Sequence, residues 1–598
     1  MTTSTEQADP VLARMGALAA QSQRIVAMVL ARQAGAAGIL QADPLKLGGA
    51  LARFGAALAR HPVKVARSQW HLARDTASLT VNAARRVLGR PVTPVVEPAK
   101  GDRRFKDAAW SDNAWFDFLK QAHLLGHRFA GELVDAAAEL SEADALKVEF
   151  YARQFMDALS PSNFPWSNPE VLRATRESHG ENLLRGLENL LRDLEAGQGS
   201  LRIRVTDENA FKVGGNLAVT PGKVVWRNEL CELIHYAPLT ETQHATPLLF
   251  IPPWINKFYI LDLRPENSLV RWLLGQGFNV FLLSWVNPDE RHAQKGYGDY
   301  LKDGPLTALE VIRTITGKER VHAVGYCLGG TLLATLAAHL AARGDERLAS
   351  TSYFTTLTDF SAVGELGMFV EPAVVDQVEQ KMRARGYLKG EEMQFPFNLM
   401  RSNDLIWSHV VNNYLLGRSP FPFDMLYWAS DSTRMPAEMH AFYLRNMYVE
   451  NKLVKPGGLV VLGTPLDLRN VRVPTFMVST REDHIAPWKA TYKATQLFSG
   501  PVAFHLAGSG HIAGIINPPT QVKYGFVTAE VNPPDPDAFL AAARETAGSW
   551  WPTWAQWLTS HGDEQVPAAP PGGGKVPLLG DAPGSYAPVR EADLKQAW

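Results

Sequence analysis

The chain has 598 residues, is 46% hydrophobic and 20% charged, and carries a formal net charge of −1, a globular composition with no overall charge to offer a nucleic acid. Its two cysteines, Cys231 and Cys327, exclude a disulfide framework or a Cys-rich zinc site and suit a reducing cytoplasm. The opening MTTSTEQADP does not read as a signal peptide, and no stretch approaches the roughly 18 apolar residues that would span a bilayer.

Residues 1–100 are rich in Ala and Arg and carry 13 Lys+Arg against 5 Asp+Glu, a local excess of 13 − 5 = 8 positive charges. Val11 to Ala37 and Val63 to Leu88 read as amphipathic helices, and Pro91-Val92-Thr93-Pro94 with Pro98 reads as a linker. Two readings stand for this segment: a basic surface- or partner-binding arm, or a solvated, partly disordered helical appendage. Residues 101–200 keep the helical period and add aromatics such as Trp110, Trp115, Phe116 and Phe118, read as packing residues of a helical N-terminal domain.

From Leu201 the period changes. Ile203 to Val205, Lys223 to Trp226 and Cys231 to Tyr236 read as antiparallel strands. Thr246 to Ile251 is a buried strand that runs into Pro252-Pro253-Trp254-Ile255-Asn256-Lys257, and Phe278 to Trp285 is the next strand. A helix is expected over Asp303 to Thr316, with Asp303 as its cap. Val321 to Tyr326 then leads into Gly325-Tyr326-Cys327-Leu328-Gly329-Gly330 and an Ala/Leu-rich helical run. Strand, Gly-x-Cys-x-Gly and helix in succession form a nucleophile elbow, with Cys in the position that Ser occupies in most α/β-hydrolases. The glycines answer to a strained turn and a close helix–strand approach. Cys327 at a helix N-terminus would be favoured as a thiolate.

After the strand Ser352 to Leu357 the alternation stops. From about 360 to 451 no clear strand is expected, and the aromatic-rich stretch (Phe395, Trp407, Tyr414, Phe423, Trp428) reads as a lid. Strands resume at Pro474 to Ser479 and Val502 to Leu506. A Trp cluster follows (Trp550, Trp551, Trp554, Trp557), then a Pro/Gly-rich tail, about 562–598, expected to be extended and poorly ordered. The fold class is therefore α/β: an α/β-hydrolase core over 201–598 with an inserted helical lid, preceded by a helical N-terminal region.

In this fold the chain order is nucleophile, acid, His. Cys327, Asp483 and His511 fit it, because Asp483 and His511 each follow a strand. Asp359 is a rival acid and His484 a rival base; His505 lies inside a strand and reads as structural. The backbone N–H of Leu328 would meet an oxyanion, joined by that of Ile255, with Trp254 as the alternative. A Cys–His pair that forms an acyl-enzyme suits a thioester, since thiol-to-thiol exchange is nearly balanced and keeps the acyl group activated. Gly572-Gly573-Gly574-Lys575 is followed by Val576, so it is not a P-loop, and no metal-ligand cluster is evident.

The chain resembles class I poly(3-hydroxyalkanoate) synthases over about Asp102 to Arg590. The stretches that carry the resemblance are Asp102-Arg103-Arg104-Phe105, PPWINKFYILDL (252–263), GYCLGG (325–330), LIWSHVVNNYLLG (405–417), SDSTRMP (430–436), REDHIAPW (481–488) and GSGHIAGIINPP (508–519). The resemblance implies polymerisation of (R)-3-hydroxyacyl-CoA, short-chain and typically 3-hydroxybutyryl-CoA, into an intracellular polyester with release of CoA. It implies Cys327 as the nucleophile that holds the chain, His511 as general base, and Asp483 either orienting His511 or activating the 3-hydroxyl. It also implies a homodimer at the surface of cytoplasmic polyester granules, no cofactor beyond the CoA thioester, and an acyl pocket near Phe423, Trp428, Ala513 and His484. Two other readings remain: a Cys-dependent thioesterase or hydrolase of the same fold, and a non-catalytic granule-coating protein.

Overall fold

Short apolar runs, too short to cover a helix face, bury themselves by pairing side by side. The computed structural model describes Gln21, Ile25 and residues 47–594 apart from 138 and 563, and in it eleven strands form one sheet. In chain order they are β1 (Gly222–Arg227), β2 (Cys231–Tyr236), β3 (Leu248–Ile251), β4 (Val280–Trp285), β5 (Val321–Tyr326), β6 (Leu348–Phe354), β7 (Thr475–Thr480), β8 (Val502–Ala507), β9 (Phe526–Thr528), β10 (Arg544–Thr546) and β11 (Gly580–Asp581). Across the sheet they run β10-β9-β8-β7-β6-β5-β3-β4-β2-β1-β11. The six from β8 to β4 are parallel, and the flanking strands pair antiparallel.

Strands β4 to β7 are buried along their whole length, as a parallel sheet covered on both faces requires. Alternate residues feed two cores. Leu249 and Ile251 of β3 join Ala323 and Tyr353 on one face, while Leu248 and Phe250 join Val324 and Phe354 on the other. This is the α/β-hydrolase architecture expected from the sequence.

The chain divides into two compact units, residues 1–207 with 398–421, and residues 208–397 with 422–598. In the first, the described helices include Leu47–Arg60, Pro62–Val87, Ala114–Ala136, Glu142–Ala158, Pro169–Glu177 and Glu181–Ala196. The Asp102–Phe105 motif is a clasp here. Arg104 Nη2 donates to Asp102 Oδ2 at 2.9 Å and Nη1 to Asp157 Oδ1 at 3.0 Å, and Phe105 packs edge-on against Trp110 at 5.1 Å. Among the described residues no helix is long and apolar enough to cross a membrane. Of the expected helix over Val11 to Ala37 only Gln21 and Ile25 are among the described residues, both helical; the rest of it lies outside them.

Several expectations change. Ile203 to Val205 is not a strand; the Arg204 N–H and guanidinium instead reach the fully buried Asp193 at 3.2 and 2.5 Å. The helix before β5 is Thr307–Thr316, preceded by a π-helical turn, Lys302–Leu306, in which Gly304 breaks the helical dihedrals, so Asp303 is not its cap.

The lid region over about 360–451 is divided, because 398–421 folds with the N-terminal helices. Asn182 and Asn189 side chains donate to the carbonyls of Leu415 and Asn413, and Tyr414 O–H donates to Asp193. Gly186 makes room for this, since a Cβ there would lie 1.8 Å from the Tyr414 carbonyl oxygen. The rest of the stretch also holds a short antiparallel pair, Tyr387–Leu388 with Met435–Pro436.

The described part of the tail, expected to be poorly ordered, is instead held by strand pairing. Gln565–Pro567 pairs with Thr242–His244, and β11 adds to the sheet edge at β1.

Candidate active site

The elbow sits where β5 ends and the helix Leu328–Ala342 begins. Cys327 holds φ +53°, ψ −119°, a strained conformation for a residue with a side chain. Close packing enforces it. A Cβ on Gly325 would stand 2.4 Å from Gly330 Cα, one on Gly329 2.0 Å from the Ile251 carbonyl oxygen, and one on Gly330 1.9 Å from Thr356 Oγ1. The Gly329 contact also sets the first turn of the nucleophile helix directly against the end of β3, where the Pro252–Lys257 loop starts. Helix N-terminal N–H groups lack intrahelical acceptors, so the Leu328 N–H is available beside Cys327. Ile255 is half-buried in the loop. Trp254 is 2% exposed, with its ring 5.3 Å from that of Tyr300 and 6.1 Å from that of Trp285, and serves as a post for the loop.

Asp483 and His511, on the loops after β7 and β8, meet. His511 Nδ1–H donates to Asp483 Oδ2 at 2.6 Å, and Cys327 acts on the same ring electrostatically. Asp483 Oδ1 accepts the N–H groups of Ile485 and Ala486 at 2.9 and 2.8 Å, so both carboxylate oxygens are engaged. Burial works against a charged His511. The charges of Asp483 and Cys327, with the hydrogen bond to Asp483, outweigh it and raise the imidazole to about 10. The structure thus joins His511 to Asp483 by a hydrogen bond and sets Cys327 close enough to act on the imidazole.

The rivals are engaged elsewhere. Asp359 Oδ1 accepts from the Ser361 N–H at 2.8 Å and from Asn451 Nδ2 at 2.9 Å. His505 lies in β8, stacked at 4.1 Å on Phe476, and burial pushes it down to about 4. His484 is half-buried next to Asp483, and Ala513 half-buried in the His511 loop. Phe423, 43% exposed, precedes the helix Asp424–Ser430. Trp428 is 5% exposed and donates its indole N–H to the Lys257 carbonyl at 2.6 Å, which makes it part of the frame.

Three residues support the site through contacts that the sequence did not show. Tyr326 stacks on His511 at 5.7 Å and donates to its carbonyl at 3.2 Å. Trp550 and Trp551 donate their indole N–H groups to the carbonyls of Gly514 and Ile515, each at 2.9 Å, and so fix the His511 loop. The Trp cluster was visible in the sequence; its backbone acceptors were not, because every residue has a carbonyl.

Residues 101–273 match the sequence profile described as poly-beta-hydroxybutyrate polymerase (PhaC) N-terminus, and residues 246–518 match that of the alpha/beta hydrolase fold. The chain is 49% identical over 524 residues to a poly(3-hydroxyalkanoate) polymerase of Methylorubrum extorquens, covering 88% of this chain and 86% of that one. It is 45% identical to the poly(3-hydroxyalkanoate) polymerase subunit PhaC of Rhizobium meliloti, covering 88% and 85%. To the subunit of the same name from Cupriavidus necator it is 43% identical, covering 82% and 83%.

Proposed function

The chain belongs to the poly(3-hydroxyalkanoate) polymerase family and is an acyltransferase; on that premise we propose how Cys327, His511 and Asp483 carry the reaction. The Cys327 thiolate attacks the thioester carbonyl of a 3-hydroxyacyl-CoA. The negative charge that develops on the carbonyl oxygen is met by the N–H groups of Leu328 and Ile255. Collapse breaks the carbon–sulfur bond to CoA, and the departing thiolate takes the proton held on His511, leaving the acyl group on Cys327 and a neutral imidazole.

Neutral His511 then removes the proton from the 3-hydroxyl of an incoming hydroxyacyl-CoA. The resulting alkoxide attacks the acyl–Cys327 carbonyl, an ester bond forms, and the Cys327 thiolate is released beside a recharged His511. The lengthened acyl-CoA can acylate Cys327 again, so each ester formed accompanies one CoA released. The role of Asp483 that the contacts support is orientation of His511, since its two oxygens accept from His511 and from two backbone N–H groups.

The observation that carries this reading is the Cys327–His511–Asp483 line at the elbow. The reading uses no cofactor other than the CoA thioester, favours a short acyl chain such as 3-hydroxybutyryl, and has the protein act as a homodimer at the surface of a polyester granule in the cytoplasm. The test is CoA release from 3-hydroxybutyryl-CoA by wild type and Cys327→Ala, with the product sized. Release with high-mass polyester from wild type and neither from the variant is expected. Release with monomeric acid alone would make the protein a thioesterase, and an unchanged Cys327→Ala would remove Cys327 from the reaction.

A further inference from the structure

The SDSTRMP stretch (430–436) takes no part in the triad, yet it supplies one half of a buried ion pair. Lys257 Nζ lies 2.8 and 2.9 Å from the two Asp431 carboxylate oxygens, and Tyr259 O–H donates to Asp431 Oδ2 at 2.8 Å. The Lys257 and Asp431 side chains are 2% and 1% exposed. Burial lowers the Lys257 ammonium pKa, with the Asp431 charge and hydrogen bond opposing. A pair this dry is a poor source of net stability, because desolvation offsets the attraction. What it does supply is direction, three hydrogen bonds that converge on one carboxylate.

The bonds around the pair fall on one short segment. The Trp254 carbonyl accepts from Thr433 Oγ1 at 2.7 Å, Asn256 forms an antiparallel bridge with Ser432, and the Lys257 carbonyl accepts from Trp428 Nε1 at 2.6 Å. At the start of the segment, Trp285 Nε1 donates to the Pro252 carbonyl at 2.8 Å. Ile255 is therefore bracketed on both sides by residues tied to 428–433. We propose that Lys257 and Asp431 are positioning residues. Through them, segment 428–433 sets the loop whose Ile255 N–H faces the oxyanion, so that lid position and oxyanion stabilisation are coupled. This rests on the reading of Ile255 as an oxyanion donor.

The experiment uses the full chain and three readouts: kcat and KM for CoA release from 3-hydroxybutyryl-CoA, Tm, and the rate of Cys327 alkylation by iodoacetamide, which needs no oxyanion hole. Loss of one oxyanion donor lowers kcat by about 10²–10³-fold. A misplaced donor in Asp431→Asn is therefore expected to lower kcat by roughly 10- to 100-fold, and Tyr259→Phe, which deletes one hydroxyl and keeps the ring, by about 3- to 10-fold. KM and the alkylation rate should stay within about twofold of wild type. The neutral pair Lys257→Met/Asp431→Leu should recover Tm, as apolar replacements of buried pairs do, without recovering kcat.

The inference is overturned if kcat returns together with Tm in the neutral pair, if the loss falls on KM or equally on alkylation, or if Tyr259→Phe keeps wild-type kcat. Tyr259→Phe decides the matter if Asp431→Asn does not fold. If Cys327→Ala still releases CoA, the site reading falls and this inference with it. If Cys327→Ala is inactive and the Lys257, Asp431 and Tyr259 variants keep wild-type kcat, the inference alone falls.

Discussion

At the scale of the residue, the elbow is defined by what cannot be added to it. Thr356 Oγ1, the atom a Gly330 Cβ would strike, is itself held by the Phe354 carbonyl at 3.0 Å and the Cys327 carbonyl at 3.4 Å. It cannot swing away without loosening the nucleophile's own backbone. Gly330→Ala is therefore expected to lose about 1–3 kcal/mol of stability and most CoA-releasing activity, read from a denaturant midpoint and a thiol assay. His511 carries a sign that can be checked. Its folded-state pKa, raised to about 10, exceeds the unfolded value near 6.5. The stability it contributes is then fully present below about pH 6.5 and is lost as pH rises through about 10. A thermal-melt series from pH 6.5 to 10 should show this decline in wild type and a smaller one in His511→Gln.

At the scale of the element, the C-terminal tail is a strap fastened by two side chains of β2. Glu232 is fully buried and accepts the Ser585 hydroxyl at 2.8 Å, the Ser585 N–H at 3.0 Å and the Tyr586 N–H at 3.2 Å, opposite Arg227 at 2.7 Å. Glu232→Ala strands those donors, at about 1–3 kcal/mol, and should raise hydrogen exchange over 580–587 while β5 and β6 keep their protection. His235 holds the strap further upstream, accepting the Gly572 N–H at Nδ1 (3.0 Å) while Nε2–H donates to Asn279 at 2.8 Å. That pattern requires a neutral ring, and burial pushes the imidazole down to about 4. The stability it contributes is present above about pH 6.5 and is lost as pH falls toward 4, so exchange near Gly572 should rise on acidification before the central strands open.

At the scale of the whole molecule, buried neutral histidines set the acid limit. Besides His235, burial pushes His123, His440 and His505 down to about 4. Each must take up a proton when the chain unfolds below its unfolded pKa, so all act in the same direction. Calorimetry is expected to show Tm falling between about pH 6.5 and 4, and His505→Phe, which keeps the stack on Phe476 without a titratable ring, should flatten part of that slope.

The sequence by itself determined the elements with short-range causes. Runs such as Val280–Trp285 and Val321–Tyr326 are short and mostly apolar, and they read as buried strands. The Gly-x-Cys-x-Gly turn followed because helix and strand meet there backbone to backbone, and Asp483 and His511 were legible because each directly follows a strand of the sheet. Tertiary structure alone decided which distant segments share a contact. The grip of Asn182 on Leu415 spans 233 residues and that of Lys257 on Asp431 spans 174, and both rest on groups whose partners no local pattern encodes. Apolar periodicity records how deeply a residue is buried. Which carbonyl a buried amide, indole or carboxylate will meet depends on where the completed sheet and its insertions bring the chain, and so residues 398–421 and the C-terminal strap found places that the sequence pattern did not show.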